Sequence, residues 1–179
     1  MRFLTDFRLL LLGLWLGAAI FFIGVAQTAF SVLPSQELAG AIVGRNLAIL
    51  NLSGLAIAVA LFLTSLIGAN AKRFWLWAER LLLLVIAAAC AGGQFVIALW
   101  LQFTRAQMGK PIDELAADDP LRIQFSNLHN YSEWVMMTAM IAALAAFFVM
   151  ANRRGAAAAS LSKTTTSDPF DFSKEFKKP

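Results

Sequence analysis

Charged residues divide the chain into four long segments that carry no charge. Residues 9–36, 46–71, 81–104 and 134–152 contain 28, 26, 24 and 19 consecutive uncharged residues. A helix that rises about 1.5 Å per residue needs roughly 20 apolar residues to cross the hydrocarbon core of a bilayer. The pattern therefore predicts an all-α integral membrane four-helix bundle within one domain of residues 1–152. Its helices are predicted near residues 9–33, 47–69, 78–104 and 131–151.

Composition favours a membrane environment. Hydrophobic residues make up 59% and charged residues 15% of the 179 positions, whereas soluble domains carry about a quarter charged residues. The formal net charge of +4 comes without a dense basic patch interleaved with aromatic residues, so no nucleic-acid partner is expected. The first apolar run is longer than the roughly 7–15 residues of a signal-peptide core. It is predicted to be a membrane span rather than a cleaved signal peptide.

Lysine and arginine residues predict the orientation. If both chain ends lie on one side of the membrane, that side holds eleven of these residues and the other side holds four. Basic residues concentrate on the cytoplasmic side, so both termini are predicted to be cytoplasmic in a bacterial inner (plasma) membrane. Residues 153–179, rich in Ala, Ser, Thr and Lys, are predicted to form a disordered cytoplasmic tail.

Two longer connections are expected on the outer side. Residues 34–46 are predicted to form a short surface helix, with Ser35 as its N-cap and Glu37 in its first turn. Residues 106–127 contain Pro111 and Pro120 and are predicted to be only partly ordered.

Small residues at helical spacing predict where the helices pack. Lipid gives no hydrophobic reward for helix association, so close approach through small side chains has to contribute. Gly13 and Gly17 form a GxxxG pair that Gly24 extends, and Gly54 and Ala58 repeat on the second helix. These faces are predicted to be seams within one bundle. The alternative is a face that binds another chain, either a second copy or a partner membrane subunit.

Polar residues of the predicted spans concentrate toward the outer side. An uncompensated polar group in hydrocarbon is energetically costly, so these side chains are expected to face one another. The sequence predicts one outward-facing polar pocket formed by Gln27, Thr28, Arg45, Asn46, Asn51, Gln94, Gln102, Arg105, His129 and Glu133.

Spacing predicts contacts within this pocket. His129 and Glu133 are one helical turn apart and are expected to share a face. Gln94 and Arg105 are eleven residues apart, about three turns, and are expected to be nearly aligned. Arg45 is the expected ionic partner of Glu133, because a carboxylate at the membrane boundary needs a cation.

Three interpretations of the pocket stay open. Ionisable residues at membrane depth favour a pathway for a proton, ion or solute. A copper(I) site is the second, because thioethers select this ion and Met136, Met137 and Met140 follow His129 and Glu133. The third is a network of salt bridges and hydrogen bonds that only fixes helix register. The chain has no GxGxxG, P-loop, GxSxG, HExxH or CxxC motif, so no catalytic residue, resident metal or cofactor is expected.

Several runs of residues match a known pattern. They are Leu14-Trp15-Leu16-Gly17-Ala18-Ala19-Ile20-Phe21-Phe22, Ala29-Phe30 with Leu33-Pro34, Glu37-Leu38-Ala39-Gly40 with Ile42-Val43-Gly44, and Phe125-Ser126-Asn127-Leu128-His129-Asn130-Tyr131-Ser132. Together they resemble an uncharacterised bacterial family of four-helix membrane proteins, a domain of unknown function with eukaryotic transmembrane protein 205 among its relatives. The resemblance covers most of residues 9–150.

The resemblance implies a four-span fold without an assigned activity. For the eukaryotic relatives it implies a link to drug resistance and trafficking. The positions that recur in the family correspond here to Trp15, Gly17, Pro34, Gly40, Gly44, Leu128, His129 and Ser132. The Trp-x-Gly start also resembles, more distantly, copper-resistance and haem-dependent four-helix membrane proteins.

Three functions follow from the sequence. The first is a non-enzymatic membrane protein that binds or passes a proton, ion or small solute through the outward-facing pocket. The second is a non-catalytic structural or assembly subunit of the membrane. The third is a haem or copper redox protein of the membrane.

Overall fold

A computed structural model describes residues 2–67 and 73–165, with side chains for residues 3–66 and 74–153. The α-helices are α1 (Arg2–Val32), α2 (Gln36–Ile67), α3 (Arg73–Gly92), α4 (Ala98–Met108) and α5 (Pro120–Thr165). A π-helical segment, Gly93–Ile97, joins α3 to α4, and a 3-10 turn, Ile112–Glu114, follows α4. No strand occurs in these described ranges.

Within the described residues, four helical segments are long and apolar enough to cross a membrane. They are Phe3–Val32, Gln36–Leu66, Phe74–Met108 and Pro120–Arg153, hereafter the first to fourth spans. The third span consists of α3, the π-helical segment and α4. The prediction of an all-α, multi-pass four-helix membrane protein is therefore confirmed.

The four spans form a closed ring in which each packs against its neighbours. The first packs on the second, the second on the third, and the fourth on both the third and the first. Their interface is largely apolar, with several alanines that let backbones approach closely. The core side chains that are at most 2% exposed are Leu12, Ala19, Ala58, Leu61, Leu83, Ile86, Cys90, Ala139, Ala143, Ala146 and Met150.

The second span begins earlier than predicted. The Ser35 hydroxyl accepts a hydrogen bond from the Leu38 backbone N–H at 3.2 Å, and α2 begins at Gln36. No proline occurs within α2, so nothing separates residues 36–46 from the rest of the helix. The short surface helix expected in this region is instead the first three turns of α2.

The fourth span also begins earlier than predicted. Gly109, with φ of 62°, follows the end of α4, and the Asp119 carboxylate accepts a hydrogen bond from the Leu121 N–H at 2.8 Å. Pro120 then opens α5, a position where its missing N–H costs nothing. The connection is therefore Gly109–Asp119, considerably shorter than the predicted 106–127.

The last helix extends into the segment predicted to be a disordered tail, residues 153–179. The backbone of α5 continues to Thr165, so residues 154–165 are helical rather than disordered. Four consecutive alanines, 156–159, have the highest helix propensity of any residue type. Residues 166–179 lie outside the described part of the chain.

Candidate functional site

A buried carboxylate joins three of the four spans at one end of the bundle, and one of its arginine partners also contacts the second span. Glu79 of α3 is fully buried, with a side-chain exposure of 0%. Its Oε1 accepts a hydrogen bond from Arg8 Nη2 of α1 at 2.5 Å, and its Oε2 accepts one from Arg153 Nη1 of α5. Arg8 Nη2 also donates to the Leu61 carbonyl of α2 at 3.0 Å. The beginning of the first span and the end of the fourth therefore lie together.

A third arginine completes this end. Arg80 donates from Nε to the Ser65 hydroxyl at 3.3 Å and from Nη2 to the Ser65 carbonyl at 3.0 Å. Ser65 lies in the last turn of α2, where carbonyls lack helical partners and a cation is favourable. We call Arg8, Glu79, Arg80 and Arg153 the basic end of the bundle.

Glu79 is the functional candidate that sequence reasoning missed. The arginines of the basic end served there only as markers of orientation. A signal was nevertheless present, because Glu79 is the only acidic residue between Glu37 and Asp113. A lone carboxylate beside an apolar segment, surrounded by basic residues that flank other spans, needs an arginine partner.

The opposite end of the bundle carries a different pair of ionisable side chains. His129 Nε2 lies 3.4 Å from Glu133 Oε1, one turn further along α5, and their side chains are 43% and 66% exposed. The edge of the Phe30 ring faces the His129 imidazole, with 6.3 Å between centroids. The expected pairing of Glu133 with Arg45 does not occur, and Arg45 is exposed. We call this region the His129 end.

Arg105 lies near the same end without an ionic partner among the described residues. Its guanidinium carbon is 5.7 Å from the centroid of the Phe125 ring. A Cβ placed on Gly40 would lie 3.4 Å from one of its Nη atoms, so a glycine at this position lets the side chain lie flat against α2.

The ten residues predicted to form one pocket are not gathered. Six of them are exposed, three are half-buried and only Asn51 is buried. The Thr28 hydroxyl and the Asn46 amide donate to carbonyls of their own helices. Only the His129–Glu133 pair joins two of the ten in the described part of the chain. The exposed members are Gln27, Thr28, Arg45, Asn46, Gln102 and Glu133, and the half-buried members are Gln94, Arg105 and His129.

Helix length gives the physical reason for this correction. The hydrocarbon core is about 30 Å thick, which corresponds to roughly 20 helical residues, whereas the spans contain 30 to 35 residues. Starting from Arg8 and Arg153, which meet at Glu79, twenty residues lead to Thr28 and Glu133. By this count we expect the polar residues toward the His129 end to lie at or beyond the far hydrocarbon boundary. Water and headgroups can satisfy polar groups there, so burial does not force them together.

The centre of the bundle contains a small polar contact. The Asn51 amide nitrogen would lie 3.1 Å from a Cβ on Gly93, the first residue of the π-helical segment. The neighbouring Gln94 Oε1 is buried without a hydrogen-bond partner among the described residues. Gln94 thus lies on a π-helical turn, and its alignment with Arg105 does not follow α-helical spacing.

Apolar side chains separate this contact from the basic end. Glu79 and Gln94 are fifteen residues apart, about 22 Å along a helix. Between them, Leu83, Ile86 and Cys90 are each at most 1% exposed. Within the described residues, the third span therefore offers no continuous polar line between the two ends.

The small residues predicted to pack fall into two groups. Gly54 faces the Trp15 ring so closely that a Cβ would lie 2.7 Å from it, and Trp15 Nε1 donates to the Leu50 carbonyl at 3.0 Å. Ala58 is buried in the core, and a Cβ on Gly13 would contact Phe147 at 3.5 Å.

The other group points away from the bundle. Gly17 and Gly24 are exposed, and a Cβ on either would meet nothing within 4 Å. The seam predicted along α1 therefore includes Gly13 but not these two glycines. Among the described residues, α1 packs mainly against α2 and α5, and these two glycines lie away from both contacts.

The side chains named for a copper site are spread over different environments. Met136 is buried, Met140 is half-buried and Met137 is exposed. Across the described residues, no group of three His, Cys, Asp or Glu side chains is placed to hold a metal ion. The structure therefore does not gather the side chains named for a copper site.

Comparison with known proteins gives one match. No curated protein and no solved structure is significantly similar to the chain. A family model matches residues 10–110, a range that contains Glu79, Asn51 and Gln94 but neither Arg8 nor Arg153. The link to eukaryotic transmembrane protein 205 stays a prediction. The matching model is described as a domain of unknown function (DUF4149), and because it covers more than half of the 179 residues, the chain belongs to this uncharacterised family.

Proposed function

We propose that the protein is a non-catalytic structural subunit of the membrane that assembles with a second copy through α1. The observation that carries this proposal is the open glycine face of α1. Gly13 and Gly17 lie in a surface groove bordered by Phe21 and Phe147, and no atom of another described span lies within 4 Å of a Cβ placed on Gly17. In lipid, close backbone contact at such faces drives helix association. A two-fold pair uses the same patch on both copies, so one groove is sufficient.

The rest of the bundle supports a structural role. The ion pairs of Glu79 join the first, third and fourth spans at the basic end, and Arg8 also donates to a carbonyl of the second. Apolar side chains fill the interface of the third span between this end and Gln94. A path for ions or solutes needs polar groups or water along its length. These features favour a rigid scaffold over a conduit.

Cysteine cross-linking in proteoliposomes tests the assembly. Gly17→Cys places a thiol on the proposed face, and Ala88→Cys is the matched control. Ala88 is also exposed, and it lies nine residues from Glu79 as Gly17 lies nine residues from Arg8. We expect a disulfide-linked dimer from Gly17→Cys and monomer from Ala88→Cys. Equal yields from the two variants would reject α1 as the assembly face.

Gly17→Leu provides an independent measurement. A bulky side chain should hold the helices apart, so the mass of the protein–detergent complex should fall from dimer to monomer. Ala88→Leu should leave the mass unchanged. A wild-type protein that is strictly monomeric in lipid and in mild detergent contradicts the proposal.

A second candidate function is the binding of a proton or small ion at the His129 end. Its support is the half-exposed His129–Glu133 pair with Phe30 beside it. Flux into proteoliposomes distinguishes it from the structural role. Under this alternative, His129→Ala and Glu133→Gln both lower flux, whereas Glu37→Gln, at an exposed position of α2, does not. Under the structural proposal, wild-type flux equals that of empty liposomes.

We also propose that both chain ends are cytoplasmic, with the His129 end outside. The excess of Lys and Arg on the side of the chain ends supports this orientation, as do Arg8 and Arg153 at one end of the bundle. Ala117 and Phe74 are both exposed, so their labelling depends on the side of the membrane on which each lies. An impermeant maleimide applied to intact cells should label Ala117→Cys, on the outer side, but not Phe74→Cys, on the cytoplasmic side. The reverse pattern would invert the orientation.

A further inference from the structure

We propose that the basic end binds the phosphate group of an acidic phospholipid in the adjacent leaflet. The first support is charge. Arg8 and Arg153 share the single carboxylate of Glu79, and the hydrogen bonds of the adjacent Arg80 within the described residues go to the uncharged oxygens of Ser65. Adding Asp6, two residues before Arg8, still leaves an excess of one positive charge.

The second support is unused hydrogen-bond capacity. A guanidinium carries five N–H donors, and Glu79 accepts one bond from Arg8 and one from Arg153. The Nε atoms of both arginines are buried and have no hydrogen-bond partner among the described residues, so an external anion has to be bound by the Nη groups. The Arg153 side chain is 24% exposed against 11% for Arg8, so Arg153 is the guanidinium that an external anion reaches more easily.

The third support is position along the membrane normal. Trp75 and Trp77 are exposed and lie within one turn of Glu79. Exposed tryptophans at the end of a span mark the headgroup level of a bilayer. Lipid phosphates lie at this level, and a phosphate diester accepts paired N–H bonds from arginine.

The charged groups of the basic end have two different roles in this proposal. Glu79 is too deeply buried to meet a headgroup, and it holds Arg8 and Arg153 in place. Arg153 and Arg80 supply the attraction, which is worth about 1 kcal/mol per basic residue near an anionic surface. This corresponds to about fivefold in affinity for each arginine.

Lipid titration followed by native mass spectrometry tests this site. Full-length delipidated protein is titrated with phosphatidylglycerol or with phosphatidylcholine of identical acyl chains. Both lipids carry a phosphate, but only phosphatidylglycerol has a net negative charge. We expect phosphatidylglycerol to bind at least fivefold more tightly than phosphatidylcholine. Arg153→Gln should weaken phosphatidylglycerol binding about fivefold, and Arg45→Gln, at the other end of the bundle, should have no effect.

Arg80→Gln is a second variant that keeps both bonds to Glu79, so it remains informative if Arg153→Gln fails to fold. It should also weaken phosphatidylglycerol binding about fivefold. Equal binding of the two lipids, or equal behaviour of Arg80→Gln and Arg45→Gln, would overturn the proposal. Loss of the lipid adduct in millimolar inorganic phosphate would overturn it as well, because the site would then prefer soluble phosphate to a lipid.

Discussion

Glu79 and Glu133 are both acidic residues of membrane spans, and each has a nitrogen-bearing side chain as a partner within the chain. Glu79 is completely buried and shared by two arginines from other spans. Glu133 is 66% exposed and contacts a histidine one turn away on its own helix. The first arrangement fixes three helices relative to one another, whereas the second fixes none. Burial and the origin of the partner, rather than residue type, therefore determine what each carboxylate does.

Energetics sharpen this contrast. A buried ion pair gains little over apolar packing, but removal of one partner leaves an uncompensated charge in a low-dielectric environment. An exposed pair is screened by water and contributes little in either direction. The two ends of the bundle should thus respond very differently to similar substitutions.

The largest effect is expected for Glu79→Gln. This substitution leaves Arg8 and Arg153 without a counter-charge, and we expect the free energy of unfolding to fall by about 3–5 kcal/mol. SDS titration in mixed micelles measures this quantity. Glu133→Gln is the matched control, and its loss should stay below about 1 kcal/mol. Similar losses for the two variants would remove the distinction between the ends.

The two arginines that bind Glu79 should differ from each other. Arg8→Gln removes bonds to Glu79 and to the Leu61 carbonyl, whereas Arg153→Gln removes the bond to Glu79 alone. Charge-assisted hydrogen bonds contribute about 1.5–3 kcal/mol each. We therefore expect a larger loss of stability for Arg8→Gln, measured by the same titration. The reverse order would mean that Arg153 is the principal partner of Glu79.

Packing between the two ends should give a smaller effect. A methyl group on Gly54 meets the Trp15 ring at 2.7 Å, and overpacking of this kind costs about 1–3 kcal/mol. Alanine recovers up to about 1 kcal/mol of helix propensity, so Gly54→Ala should lower stability by about 1 kcal/mol. Gly17→Ala, in open space, should be neutral or slightly stabilising for the monomer. A stabilised Gly54→Ala would show that Trp15 moves freely.

The smallest effect is expected for the His129–Glu133 pair. A double-mutant cycle with His129→Ala and Glu133→Gln isolates the interaction between the two side chains. We expect a coupling of about 0.2–1 kcal/mol, typical of exposed pairs, and a further decrease in high salt. A coupling above about 2 kcal/mol would show that the surroundings bury this pair, as a partner chain or a bound ligand would.

Sequence patterns predicted the spans well for a simple reason. Long uncharged segments have no stable location other than hydrocarbon, so their number follows from the charges that bound them. Boundaries were harder to predict, because α2 and α5 begin directly after Ser35 and Asp119 and so extend well beyond the apolar segments. A hydropathy pattern predicts which residues lie in the hydrocarbon core, but it does not predict the residue at which a helix begins.

The site was harder to predict than the fold. Sequence position gave the depth of each polar residue but not the direction of its side chain around the helix axis. The polar residues toward the His129 end were expected to converge, yet the long helices carry them to water. Arg8, Glu79 and Arg153 converge instead, and they lie 71 and 74 residues apart in sequence. No local pattern reports such a contact.

The π-helical segment limits spacing arguments along the third span. One extra residue in a turn rotates everything that follows by about 100° relative to an unbroken α-helix. Residues 74–92 and 98–108 therefore each obey helical periodicity, but a face traced through Gly93–Ile97 does not continue. For this reason the spacing of Gln94 and Arg105 does not determine whether their side chains face the same way.

The cluster around Glu79 also has a consequence for biosynthesis. Arg8 has already left the ribosome when Glu79 is made, but Arg153 follows 74 residues later. At about 5–20 residues per second this interval lasts roughly 4–15 s. During that time the nascent chain holds its carboxylate with one arginine, and the last helix to enter the membrane brings the second. The order of translation is thus also the order in which this charge is neutralised.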